Sequence, residues 1–362
     1  MSEEIIMTEA PVPAEDKMPG FKRTCFGIGI MMITVYVSRI LVSVVATLIA
    51  PLCVGLSLTA LYIIDLVLSV IFLNAIPITV AYFVLKPQGM FRKVYTKPAY
   101  FGSAMGMFPA MYGVAILANL LTVFVASFFK ETSLNDSFTA LEGLQTTDLS
   151  AAIILFVQLV VVAPICEELW FRGIVMESLR PYGNGFAIFA SALLFGFTHA
   201  NLQQFLYTTV IGIFLGYLAI ATKSIVTTTI IHAILNSISG IMILMGTNPD
   251  VQEYLKAAET PAPYDPVTGG AAEFPLQGMA IVYVAYLFVI LMLMIIGIIM
   301  AIYKLTKIRR YRVEKVWDVS TGKRWGVFFS RVTVIIMLLF AIDAMTFNFI
   351  ANALCDMISG AS

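Results

Sequence analysis

Long uncharged apolar runs alternate with short polar clusters along almost the whole chain. A helix needs about 20 apolar residues to cross a bilayer. By that measure spans are expected near Cys25–Ala50, Leu58–Leu85, Ala99–Phe129, Leu149–Arg180, Gly185–His199, Leu202–Ala221, Ile225–Met245, Gly278–Tyr303 and Val327–Ile350, about nine segments. The predicted fold class is an all-α, polytopic membrane helical bundle. No internal repeat or inverted half is evident, which counts against a transporter.

Composition agrees with the pattern. The chain is 60% hydrophobic and 12% charged, about half the charge fraction of a soluble domain. Net charge is zero, so no nucleic-acid partner is indicated; the lipid bilayer is the expected surrounding. Cys25, Cys53, Cys166 and Cys355 form no CxxC pair and read as small hydrophobes. Residues 1–24 are acidic and Pro-containing and read as a cytoplasmic tail. Residues 25–148 read as N-terminal membrane helices, 149–245 as a core, 246–277 as a flexible external loop, and 278–362 as C-terminal helices around a basic cytoplasmic loop.

Charge then orients the bundle. Lys17, Lys22 and Arg23 precede the first span, and Lys86, Arg92, Lys93 and Lys97 follow the second. The loops on the other side carry Asp136, Glu142, Asp250, Glu253, Glu259, Asp265 and Glu273, with Lys130 and Lys256 as their cations. The positive-inside rule places the N-terminus in the cytoplasm and the C-terminus outside.

Against this background "PICEELWFRGI" (164–174) stands out. A carboxylate at membrane depth is costly and usually serves a cavity or a site. The chain has two histidines, His199 closing "LLFGFTH" and His232 opening "HAILN", with Asn236 one helical turn beyond. From the turn at 182–183, Glu167 and His199 each lie about 24 Å up adjoining legs; from Lys223, His232 rises about 14 Å and Asn236 about 20 Å. The four groups can therefore meet in one half of the membrane. Glu168 and Arg172, at i,i+4, can pair and orient the site, which leaves Glu167 free to act as a general base. Pro164 can kink the helix towards a cavity. Each histidine alone reads equally well as an interhelical hydrogen-bonding residue.

Other polar residues have plainer expectations. Arg39 and Asp65 fall at similar depth and read as a structural ion pair. Asn74, Asn119, Gln158 and Asp343 read as interhelical hydrogen-bonding groups.

In order, "EELWFR", "FGFTH" and "HAILN" resemble the EExxxR, FxxxH and HxxxN motifs of the CAAX-protease and bacteriocin-processing (CPBP, or Abi) family of intramembrane proteases. The resemblance covers about Leu149 to Met245. It implies that Glu167 activates water with assistance from His199, that His232 and Asn236 bind the developing oxyanion, and that Glu168 and Arg172 support them. It implies a multi-pass protein of a cell membrane, on the bacterial plan, acting on a peptide or membrane-protein substrate near the cytoplasmic face. A divalent metal such as zinc, held by Glu167, His199 and His232, stays open beside a metal-free route, since the HExxH arrangement is missing. Two other classes stand against the protease: a non-catalytic adaptor or bacteriocin-immunity protein of the same fold, and a proton-coupled transporter, since buried Glu and His also relay protons.

Overall fold

A computed structural model describes residues 14–86, 100–128, 147–259, 275–307 and 317–346. Its elements are α1 (Ala14–Ile49), α2 (Leu58–Leu85), α3 (Phe108–Ala126), α4 (Leu149–Tyr182), α5 (Asn184–Thr198), α6 (Leu202–Thr222), α7 (Ile225–Gly246), α8 (Pro249–Glu259), α9 (Gly278–Lys307), α10 (Thr321–Phe329) and α11 (Val332–Thr346). No strand occurs among the described residues. Large apolar side chains point outward all round, among them Leu48, Val67, Phe288 and Ile299. Such a surface suits lipid and not water. The chain is a multi-pass membrane protein.

Seven helices among the described residues are long and apolar enough to cross a membrane, and an eighth span results if α10 and α11 are counted as one. The two remaining expected segments differ from full spans for separate reasons. α5 has 15 residues, about 22 Å of rise, so it stops inside the membrane. The segment expected at 327–350 begins within α10 and bends by 74° into α11. Ser330 caps α10 there, and Arg331 turns back to the Val327 carbonyl.

The expected tail and loop also differ. α1 starts at Ala14, and Phe21 is fully buried against Tyr182, Phe186 and Trp317, with ring centroids 4.8, 5.5 and 5.3 Å away. Residues 14–24 therefore anchor the base of the bundle. Within the expected external loop, 249–259 is the helix α8. Asp250 accepts the Met279 N–H at 2.9 Å and Tyr254 meets Tyr283 edge-on, which ties α8 to the start of α9.

Packing inside lipid gains nothing from the hydrophobic effect, so close backbone approach matters. Where α3 crosses α9, Gly113 and Gly297 face each other; a Cβ on Gly113 would fall 2.5 Å from the Ile298 nitrogen. No larger residue fits that crossing.

Two helices widen for one turn ahead of a proline. The π-helical stretch 69–75 precedes Pro77 in α2, and 158–162 precedes Pro164 in α4. Proline lacks an N–H and its ring clashes with the carbonyl four residues back. A π-turn absorbs that conflict without breaking the span. Within the first, the Asn74 amide donates to the Ser69 carbonyl of its own helix at 3.0 Å. In the second, α7 supplies the donor that Pro164 lacks, as described next.

Candidate active site

The second glutamate of the pair is locked. Glu168 Oε1 accepts from Arg172 Nη1 at 2.7 Å, and the two side chains are 0% and 1% exposed. Arg172 also donates to the Gly212 carbonyl at 3.3 Å and lies 4.8 Å from the centre of the Phe195 ring. Gly212 allows this, because a Cβ there would sit 2.9 Å from Ala192 Cα on α5. Three helices are thus pinned around one cation.

The same oxygen of Glu168 lies 3.1 Å from His232 Nδ1. Glu168 is an acceptor, so Nδ1 donates and the ring orientation is set. His232 Nε2 then faces Glu167 Oε2 at 3.7 Å. Unlike its neighbour, Glu167 keeps a quarter of its side chain exposed, at 25%. Adjacent helix positions diverge by about 100°, and here one carboxylate enters the protein while the other enters a cavity.

That cavity, about 470 Å³, lies between α1, α2, α4 and the α5–α6 turn. Glu167, His199 and Arg39 line it, together with the amides of Asn74, Gln158, Asn201 and Gln204. α5 ends in the membrane because the chain must reverse here. Ala200 takes a left-handed φ of 54°, and Asn201 caps α6 by accepting the Gln204 N–H at 2.7 Å. Irregular backbone at membrane depth is tolerated where it lines a cavity.

His199 Nδ1 bonds the Phe195 carbonyl at 3.0 Å. A carbonyl accepts only, so Nδ1 carries the proton and Nε2 is left as the acceptor. Phe195 stands between the imidazoles, edge-on to His199 at 5.0 Å and to His232 at 5.9 Å. Its place as a spacer gives a physical reason for an aromatic four residues before the histidine.

Asn236 occupies the turn above His232, and its Nδ2 donates to the Leu159 carbonyl at 2.9 Å. The π-turn ahead of Pro164 contains Leu159, whose carbonyl Pro164 cannot serve, and α7 supplies its partner. Glu167, His199 and His232 are brought together, whereas the Asn236 amide commits one hydrogen to the backbone.

The expected Arg39–Asp65 pair does not form. Asp65 is exposed on α2, and Arg39 Nη1 donates to the Thr198 carbonyl at 3.0 Å. Equal depth was the basis for that pairing, but α1 packs on the stretch 69–85 of α2, below Asp65. Tyr36, one turn earlier, donates to the Phe197 carbonyl at 2.8 Å. The first helix therefore holds the two residues preceding His199, although it contains none of the motifs. Asn74 and Gln158 line the cavity in place of bridging helices.

Among the described residues no group of three or more His, Cys, Asp or Glu side chains is arranged to hold a metal ion. The Arg172 guanidinium occupies the Glu168 oxygen that faces His232, and each histidine has Nδ1 engaged. The ring nitrogens left over are the two Nε2 atoms, and that of His232 faces Glu167; a histidine ligates a metal through one nitrogen while the other N–H is held in this way.

Residues 149–238 match the family model described as type II CAAX prenyl endopeptidase Rce1-like. Over that segment, a quarter of the chain, the sequence is similar to the Rce1-like family. It contains Glu167, Glu168, Arg172, His199, His232 and Asn236, and so includes all three motifs that resemble those of CPBP proteases. A protein of Bacillus subtilis (strain 168) named "Putative membrane peptidase YdiL" is 33% identical over 101 residues, which is 28% of this chain and 40% of that protein. The chain thus matches well under half the length of that relative. No solved structure matches.

Proposed function

We propose that this protein is an intramembrane endopeptidase that hydrolyses a peptide bond with water activated by Glu167. One observation carries the reading: of two adjacent glutamates, Glu168 is fixed by Arg172 and His232, and Glu167 opens into a cavity shared with His199. The similarity to the Rce1-like endopeptidase family and to the putative membrane peptidase YdiL supports peptide hydrolysis as the reaction class.

In this reading a water in the cavity gives a proton to the Glu167 carboxylate as its oxygen bonds to the scissile carbonyl carbon. The carbonyl oxygen takes the negative charge. The C–N bond then breaks, and the proton passes from Glu167 to the leaving nitrogen, giving an acid and an amine. His199 Nε2 accepts the other hydrogen of the water and holds it in line. The remaining Asn236 N–H donates to the oxyanion, and His232 Nε2–H joins it with the ring as an imidazolium, since its Nδ1–H is already engaged by Glu168. The metal-free route needs no further group.

The test is cleavage of a mixed peptide library, containing farnesylated and unmodified members, by the purified protein in liposomes, read by mass spectrometry. Glu167→Gln preserves shape and removes the base, so the rate should fall by about 100- to 10,000-fold. Stringent chelation should leave the wild-type rate intact. Equal cleavage by the folded Glu167→Gln protein would overturn the reading and favour a non-catalytic adaptor.

A further inference from the structure

We propose that Arg39 forms an anion subsite inside the cavity, taking a carboxylate of the peptide substrate, either a chain terminus or an acidic side chain. The proposal deepens the endopeptidase reading and rests on it for the identity of the ligand as a peptide. Arg39 lies on α1, far from the matched segment 149–238 in sequence.

The contrast with Arg172 is the starting point. Arg172 is 1% exposed and is neutralised by Glu168, a backbone carbonyl and an aromatic face. Arg39 is half-buried and makes one hydrogen bond, to the Thr198 carbonyl; no ion pair among the described residues includes it. A guanidinium has five N–H donors in a planar fork. A cation left unpaired at membrane depth is costly and marks a functional position.

Its surroundings point to the ligand. The backbone that Arg39 grips is the residue before His199, so the guanidinium is fixed beside the reacting end of the cavity. Among the described lining residues Arg39 is the one arginine or lysine, and Glu167 the one carboxylate. An anion entering the cavity is drawn to Arg39 and kept off Glu167, which sets the direction in which a peptide lies. Gln158 Oε1 is buried in the same wall without a hydrogen-bond partner. It is an acceptor suited to a backbone N–H. The fork takes a carboxylate, the amide oxygen takes a peptide N–H, and the carbonyl between them comes to Glu167. At about 470 Å³ the space falls in the range of small-ligand sites, roughly 300–1,000 Å³. It holds a short peptide end and no folded domain.

Binding separates this proposal from the hydrolytic reading. Glu167→Gln protein in detergent is titrated with a fluorescent hexapeptide of Leu, Val and Ala. The probe is used as the free acid, as the C-terminal amide, and as the amide with one Asp. A charge-assisted hydrogen bond supports an expected preference of about 10- to 100-fold for a carboxylate over the plain amide. Arg39→Gln in that background should abolish the preference, and Arg39→Lys should retain part of it, since a point charge lacks the fork. Preference for the free acid assigns a chain terminus; preference for the Asp peptide assigns a side chain. Thermal unfolding checks that each variant is folded, and if Arg39→Gln is not, a reduced preference in Arg39→Lys decides the matter. Equal binding of acid and amide, or a preference unchanged in Arg39 variants, overturns the subsite. Selective binding without any cleavage by wild type would sink the hydrolase alone.

Discussion

Arg172 Nη1 stands 2.7 Å from Glu168 Oε1 with both side chains closed off from the surroundings. Removing one partner of such a buried pair typically costs about 3–5 kcal/mol, because the other charge is stranded. Glu168→Gln should therefore lower the thermal stability of the detergent-solubilised protein, and Arg172→Met should do the same. The double variant should lose less than the sum of the two. Additive losses would show that the pair contributes nothing to folding.

The helices were readable in order because apolar runs of membrane length carry a strong signal in so uncharged a chain. The meeting of Glu167 with both histidines was readable through rise per residue alone. Azimuth was not. Depth put Arg39 beside Asp65, yet the rotation of α1 sends Arg39 to Thr198 and leaves Asp65 outside. The role of Asn236 was obscured in a similar way. Its link to Leu159 depends on a π-turn that frees a carbonyl, and only Pro164 hinted at one. The bend between α10 and α11 was hidden because the apolar run passes through it without a break.

Orientation in the membrane follows from the cation bias and can be read by labelling. Lys223, exposed at the turn from α6 to α7, and Glu253, exposed on α8, lie at opposite ends of α7. With native cysteines replaced, Lys223→Cys should react only when reagent reaches the cytoplasmic side. Glu253→Cys should react from outside. The reverse pattern would invert the bundle, and with it the face from which substrate enters. Lys97 and Asp265, which also bear on this orientation, lie outside the described residues.

Asn236 poses the sharper question, since its amide serves the backbone and is also proposed to serve the transition state. Its bond to Leu159 ties α7 to the widened turn of α4 at 2.9 Å. A purely structural role predicts that Asn236→Ala loses stability, with the folded fraction turning over at the wild-type rate. An oxyanion donor predicts something else: kcat should fall by about 100- to 1,000-fold while KM stays close to wild type, because the interaction strengthens only as charge develops. Asn236→Asp refines the comparison. It keeps the size of the side chain but replaces the donor nitrogen with oxygen, which repels both the Leu159 carbonyl and an oxyanion. If the second hydrogen of the amide is catalytic, Asn236→Asp should be at least as slow as Asn236→Ala per folded molecule. We expect the kinetic outcome, on the ground that an amide has two N–H donors and the carbonyl of Leu159 engages one of them. Wild-type kcat in folded Asn236→Ala protein would remove Asn236 from the chemistry and leave His232 as the oxyanion donor.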